Sequence, residues 1–329
     1  MVVWNGCGLD EVSPPVFDRE KVKAAAGRLA AQGVFIGTSS WKYSGWRGQL
    51  YEDDRYVWKG RFSQARFEKM CLAEYAEVFK TVCVDAAYYK FPDARFLEEL
   101  FPQVGNDFRF ALKVTDQITI KRFPNLPRFG TQAGTTNADF LNADRFAAEF
   151  LRPLYPHRHK IGLLIFEFSR FWPADFARGR DFVETLESFL AALPTGWPYA
   201  VEIRNRNFLQ PAYFEMLSRR DTVHMYNSWA DMPSIEEQIA ICESRTCPEL
   251  LGARLLLRPG RNYEEAVKLF SPYNEIKDPY PEGRAAGTAL MKSALASGGR
   301  TKAYIYVNNR FEGNALHTIA GIIEAAGPG

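Results

Sequence analysis

With 329 residues, 47% of them hydrophobic and 24% charged, the chain has the make-up of a folded globular protein, long for one small domain and short for two ordinary ones. Forty-one Lys and Arg against thirty-nine Asp and Glu leave a net charge of +2, which excludes attachment to nucleic acid or membrane by bulk charge and leaves only a local basic patch. Five cysteines without CxxC spacing read as free thiols in a reducing compartment. With no signal-like N-terminus and no apolar run near the ~20 residues of a membrane span, the expected location is the cytoplasm.

Residues 1–33 read as an irregular arm closed by Ser13-Pro14-Pro15, then a helix capped by Asp18 and ending at Ala31 before Gly33. Residues 34–329 read as one domain. Eight short runs rich in Val, Ile, Phe and Tyr predict strands at Val34–Thr38, Thr81–Asp85, Phe108–Thr115, Ile161–Phe168, Tyr199–Asn205, Thr222–Asn227, Ala253–Arg258 and Ala303–Asn309. Helical stretches alternate with them. Asp181–Leu193 is the clearest, with Phe182, Leu186, Phe189, Leu190 and Leu193 on one face; Phe67–Phe79 and Asn314–Ala326 are weaker. Eight alternations favour a closed (β/α)₈ TIM barrel, and the phosphate-binding glycine motifs of an open doubly wound sheet follow no strand.

Three long loops follow strands and so project from the C-terminal face, where barrel active sites gather. Residues 39–66 carry Trp41, Tyr43, Trp46, Tyr51, Tyr56 and Trp58; residues 116–137 carry Lys121, Arg122 and Arg128; residues 259–281 carry Tyr263, Tyr273 and Tyr280. Aromatic-rich loops of this length are expected to wall a pocket.

Alternation along the strands sends Val82, Val84, Phe110, Leu112, Val114, Phe166, Phe168, Val201 and Ile203 toward the helices. It turns Asp85, Lys113, Glu167, Glu202 and Arg204 into the barrel near its mouth. Buried charge is costly unless paired, so this ring is either a salt-bridge network fixing the strands or a site that ligand and water enter. Glu167 and Glu202 form the candidate acid/base pair, with Asp85 as a further proton-transfer group. Lys113 is either a desolvated nucleophile or, preferably, a counter-charge. Pairing separates the two readings: full matching by Lys113 and Arg204 fits a scaffold, and an unmatched acid fits catalysis.

A second expectation concerns anions. Arg258 and Arg261 after the seventh strand, Asn308 and Asn309 after the eighth, and Gly313 before the last helix form either a phosphate corner or plain turn chemistry with an Asn cap. Asn205 and Asn227, at strand ends, join Trp41, Tyr43, Trp46, Tyr89 and Arg204 as expected ligand contacts. The four histidines cannot build a polynuclear metal site: His157 and His159 precede a strand, His317 lies in a helix, and only His224 is on a strand. No metal or cofactor is expected, with a single Mg²⁺ or Mn²⁺ held by Asp85, Glu167 and Glu202 left open.

Ile36-Gly37-Thr38-Ser39-Ser40-Trp41 with Tyr43, Trp46, Gly48 and Tyr51, then Thr81–Pro92, Phe110–Thr115, Ile161–Phe168, Val201–Asn205 and Tyr304–Gly313, resemble in their order the YecE-like family of bacterial barrels, a domain of unknown function. The resemblance runs from about residue 34 to the C-terminus and implies a TIM barrel without an established activity. Trp41, Glu202, Arg204 and Asn309 match the family pattern. The chain departs from it in having Asn205 and Pro259 where histidines are common, Cys83 for a Glu, and Asp85 for an Asn. With both histidines absent, the resemblance lends no support to His-dependent proton transfer or metal binding.

Two functional readings follow. The first is an enzyme of hydrolase or lyase type, working by carboxylate acid/base chemistry on a phosphorylated, sugar-like or nucleotide-like ligand at the mouth. The second is a non-catalytic barrel binding nucleic acid or a small ligand, using Lys121, Arg122, Arg128 and the aromatic loop. The sequence sets no oligomeric state.

Overall fold

The computed structural model describes residues 17–327, so the expected N-terminal arm and Cys7 lie outside the described residues. Eight parallel strands close into a barrel: β1 (Val34–Thr38), then, after a small hairpin of β2 (Val57–Trp58) and β3 (Arg61–Phe62), β4 (Thr81–Val84), β5 (Arg109–Lys113), β6 (Ile161–Phe168), β7 (Tyr199–Ile203), β8 (Val223–Ser228), β9 (Leu250–Leu255) and β10 (Lys302–Val307). Each barrel strand pairs with its sequence neighbour and β1 closes on both β4 and β10, so the sheet is that of a TIM barrel.

Strands and helices follow the expected order with small shifts at their ends. Only β9 moves materially, beginning at Leu250 rather than Ala253 and stopping before Arg258. Asp18 caps the first helix by accepting from Lys21 N–H, and Gly33 takes the positive φ of 83° that turns the chain into β1. The helix Gly179–Ala192 buries Phe182, Leu186, Phe189 and Leu190.

Alternation sorts the side chains as the pattern requires. Val82, Val84, Phe110, Leu112, Val114, Phe166, Phe168, Val201 and Ile203 join the large cluster between strands and helices. Phe35, Cys83, Ala111, Leu163, Ile165, Ala200, Val223, Met225, Tyr304 and Tyr306 fill the interior as a separate apolar plug. A polar layer caps that plug at the strand C-termini, so its charges rest on a dry floor. Among the described residues no helix is long and apolar enough to cross a membrane.

Candidate active site at the barrel mouth

The register aligns Glu167 of β6 with Glu202 of β7, and Asn227 of β8 with Arg254 of β9. These positions bring together all five expected ring residues, Asp85, Lys113, Glu167, Glu202 and Arg204, with Arg254 as a sixth. Arg254 Nη1 donates to Glu167 Oε2 at 2.5 Å and to Glu202 Oε2 at 2.8 Å. Lys113 Nζ lies 3.0 Å from Glu167 Oε2. Arg204 Nη2 approaches the same oxygen at 3.1 Å and Glu202 Oε1 at 2.5 Å. The last contact is close but poorly directed, since Glu202 Oε1 has no hydrogen-bond partner; Arg204 Nη1, the other terminal nitrogen, has none either.

Three acids thus face three cations. Glu202 and Arg254 are buried, and Glu167 is nearly so. Burial alone would raise the Glu167 pKa, but Lys113, Arg204 and Arg254 outweigh it and hold the carboxyl well below its ordinary value. Burial would likewise lower Lys113, yet Glu167 and Asp85 leave it above the usual lysine range. Lys113 is therefore a fixed cation here and not a free nucleophilic amine. Asp85 differs from the other acids. Its contacts to Lys113 and Arg254 are both 3.6 Å, its side chain is 35% exposed, and Oδ1 has no hydrogen-bond partner among the described residues.

Aromatic rings surround this ring of charge. Lys113 Nζ sits 4.2 Å from the centroid of Tyr88, and the Arg204 guanidinium 4.1 Å from that of Trp229. Trp229 neighbours Tyr263 at 6.1 Å, and Tyr43 meets Tyr273 edge-on at 5.4 Å. Burial pushes the Tyr43 hydroxyl up to about 12; nearby Arg310 opposes that rise and Asp85 adds to it. Tyr43 is thus within electrostatic reach of both Arg310 and Asp85.

Several expected contacts have other duties. Trp46 is fully buried between Tyr43 and Tyr51, and Trp41 is buried with it in the main core, its carbonyl accepting from the Tyr51 hydroxyl. Tyr51 and Tyr56 of the same loop pack on Phe67 of the helix Gln64–Val78 and do not wall a pocket. Tyr89 points out at 61% exposure, and its neighbour Tyr88 lines the mouth instead. Both ends of the Asn205 amide are spent on the backbone of Phe171, at 2.8 and 3.0 Å, which braces the loop after β6. Asn227 donates to the carbonyls of Ile203 and Met225 and keeps Oδ1 unpartnered.

The phosphate corner is filled by the chain itself. Arg258 and Arg261 share Asp278. Asn308 accepts from Arg310 N–H and Asn309 from Ala315 N–H, while Asn314 caps Leu316 and His317. A Cβ on Gly313 would lie 2.5 Å from the Glu275 carbonyl, so the segment after the cap is pressed shut. Turn chemistry with Asn caps wins there because it satisfies the N–H groups an anion would need; Arg261 Nη1, Asn309 Nδ2 and Arg310 Nε stay unpartnered.

Lys121 lies over the Phe176 ring at 3.5 Å, Arg122 reaches Asp175 at 3.9 Å, and Arg128 pairs with buried Asp116, so the basic loop is largely self-engaged. No group of three or more His, Cys, Asp or Glu arranged to hold a metal occurs among the described residues. A divalent ion between Asp85, Glu167 and Glu202 would sit beside Lys113, Arg204 and Arg254, a donor set unsuited to it. His224 faces outward, beside Tyr213 and Phe214, and burial lowers its pKa to about 3.

Sequence reasoning missed Arg254, Tyr88, Trp229 and Arg310 as site residues. Arg254 was recoverable, because Ala253 and Leu255 face outward and alternation turns the residue between them inward. A concavity of about 850 Å³ lies elsewhere, beside the first and last helices. Its Lys21–Glu324 pair is solvated, whereas the mouth's charges are desolvated, which makes the mouth the candidate site.

The barrel is similar to two solved structures: a DUF72 family protein from Enterococcus faecalis V583 (TM-score 0.58, 17% identity, covering 89% of this chain and 95% of that one), and one from Thermotoga maritima MSB8 (TM-score 0.55, 16% identity, covering 89% and 98%). At such identity the likeness speaks for the fold alone. No curated protein matches the chain. The family model described as "Protein of unknown function DUF72" matches residues 35–328, nearly the whole barrel, and the chain belongs to that family, of which the YecE-like barrels are the members its sequence resembles.

Proposed function

We propose that the barrel mouth is an enzyme site of hydrolase or lyase type for a small phosphorylated, sugar-like or nucleotide-like ligand, with Asp85 as the proton-transfer group. One observation carries the reading: of the three acids in the ring, Asp85 alone is loosely held, with no ion contact shorter than 3.6 Å and a side chain 35% exposed. Glu167 and Glu202 are clamped by cations and act as fixed charge, so their role shifts from a proton-sharing pair to electrostatic positioning. Tyr88, Tyr43 and Trp229 offer aromatic faces to a sugar or base.

The test is a thermal-shift screen of phosphorylated metabolites followed by turnover assays on hits. Asp85→Asn should lower kcat by roughly a hundredfold or more, the usual size of a general acid/base contribution, with little change in Tm. Wild-type turnover in that variant would remove Asp85 from the chemistry.

A second reading, nucleic-acid binding, is favoured by the exposure of Tyr89 (61%) and Trp172 (60%). Arg128 lies 5.3 Å from the first ring and Arg170 4.8 Å from the second. Exposed rings beside arginines are the elements of a stacking platform. Single-stranded oligonucleotides should then bind at low salt with affinity that falls steeply as salt rises; no binding at low salt would exclude it.

A further inference from the structure

We infer that Arg310 is the anion anchor of the mouth: its guanidinium takes a terminal oxyanion of the ligand, phosphate or carboxylate. The inference rests on the mouth being a ligand site and names the group that orients the ligand in it.

Charge counting is the first argument. Asp85, Glu167 and Glu202 balance Lys113, Arg204 and Arg254. Arg258 and Arg261 share Asp278, Arg284 is bound to Glu312, and Arg128 to Asp116. Arg310 has no ion-pair partner among the described residues, and its buried Nε has no hydrogen-bond partner. Among the described residues Lys42, Lys121 and Arg206 at this end of the barrel also lack an ion pair, but of these four cations only Arg310 has a buried side-chain nitrogen without a hydrogen-bond partner. A half-buried guanidinium without an acid is costly unless something else supplies the negative charge.

Geometry is the second. Asn308 Oδ1 accepts from Arg310 N–H at 2.9 Å, which fixes the turn just beyond β10. The guanidinium lies 4.6 Å from the Tyr263 ring centroid, and Tyr263 leads through Trp229 to Arg204 of the charged ring. Tyr43 lies close enough to feel both Arg310 and Asp85. A ligand whose oxyanion meets Arg310 would therefore run along Tyr263 and Trp229 toward the charged ring. The planar guanidinium suits this role, since its fork of donors matches two oxygens of phosphate or carboxylate at once.

Inorganic phosphate, ribose 5-phosphate, gluconate and neutral ribose are titrated by calorimetry into wild type, Arg310→Met, Arg310→Lys, Trp229→Ala and the surface control Arg180→Met, with Tm recorded for each. Ribose 5-phosphate or gluconate should bind wild type and the control alike. Arg310→Met should weaken binding by roughly tenfold or more, the usual effect of losing a charge-assisted contact. Arg310→Lys should fall between, keeping the charge and losing the fork. Phosphate and gluconate distinguish which oxyanion is preferred.

Unchanged affinity in Arg310→Met overturns the anchor, as does wild type binding ribose as well as ribose 5-phosphate, or binding none of the anions. If Trp229→Ala loses the ligand while Arg310→Met keeps it, the mouth reading survives and only the anchor falls. If both variants bind as wild type does, both ideas fall. A large drop in Tm for Arg310→Met moves the decision to Arg310→Lys, whose wild-type affinity for every anion would then also count against the fork.

Discussion

Arg254→Met tests whether the polar ring is one coupled unit. The substitution keeps the stem of a buried side chain that is 3% exposed and removes the cation shared by Glu167 at 2.5 Å and Glu202 at 2.8 Å. Stripping one partner from a buried ion pair costs about 3–5 kcal/mol, because the other charge stays buried. Glu202 retains Arg204 at 2.5 Å, and Glu167 retains Lys113 at 3.0 Å, so the lower end applies, about 3 kcal/mol. With about 2.1 cal/mol/K of unfolding entropy per residue, that loss lowers Tm of a 329-residue chain by about 4 °C. Urea unfolding followed by circular dichroism supplies the free energy, and calorimetry the Tm. The pH dependence gives a second handle. Glu167 has a folded pKa held below its unfolded value of about 4.3, so its stabilisation is fully present above that value and lost as pH falls through the folded one. Removing Arg254 lessens that depression, and the gap between variant and wild type should shrink as pH drops below about 5. Adding Glu202→Gln restores neutrality and should recover at least half of the loss, a coupling that independent sites would not show. A variant within about 0.5 kcal/mol of wild type at pH 7, or a gap that ignores pH, would refute the coupled ring.

His224 should stay neutral in the folded protein well below pH 6, since burial lowers its pKa to about 3. The unfolded chain binds the extra proton, so this residue lowers stability progressively as pH falls below about 6.5. His224→Phe should flatten that part of the stability profile, and an unchanged slope would contradict it. Gly37→Ala should destabilise by about 1–3 kcal/mol or more, as overpacking does. Its Cβ would lie 2.2 Å from the Thr81 carbonyl and 2.9 Å from the Tyr75 hydroxyl, where β1 meets β4 and the backbone has little room to yield. Wild-type urea midpoints in Gly37→Ala would show that the seam can relax.

The barrel and most of its ring were legible because both depend on a period-two pattern. Val201 and Ile203 had to face the helices, and that alone turned Glu202 and Arg204 inward. Arg254 escaped because β9 was expected to start at Ala253. The run Leu250-Leu251-Gly252 carries a glycine, which weakens a strand signal, yet here it faces Met225 where a Cβ would meet the sulfur at 2.1 Å. The loops were a different problem. Trp46, Tyr51 and Tyr56 have the composition of a pocket wall, but no period tells a loop aromatic that faces a ligand from one that packs on Phe67. Asn308 and Asn309 were ambiguous for a chemical reason. An Asn oxygen caps a helix by occupying the same N–H groups that would hold phosphate, and only the closure over Gly313 decides between them.

The departures from the usual YecE-like pattern acquire a physical meaning in this geometry. Where that pattern has Glu and then Asn along the second barrel strand, this chain has Cys83 and Asp85. Both positions face the interior, and two residues of strand span about 6–7 Å. The acid is thus moved along the same face toward solvent, and Cys83 joins the apolar plug beneath. The ring keeps its third negative charge against Lys113, Arg204 and Arg254, so the exchange preserves electrostatic balance while changing accessibility. An acid at position 83 would lie within the apolar plug beneath the ring. At position 85 it keeps only loose ion contacts and a side chain 35% exposed, the two conditions under which a carboxylate in a charged barrel can exchange a proton with something that enters.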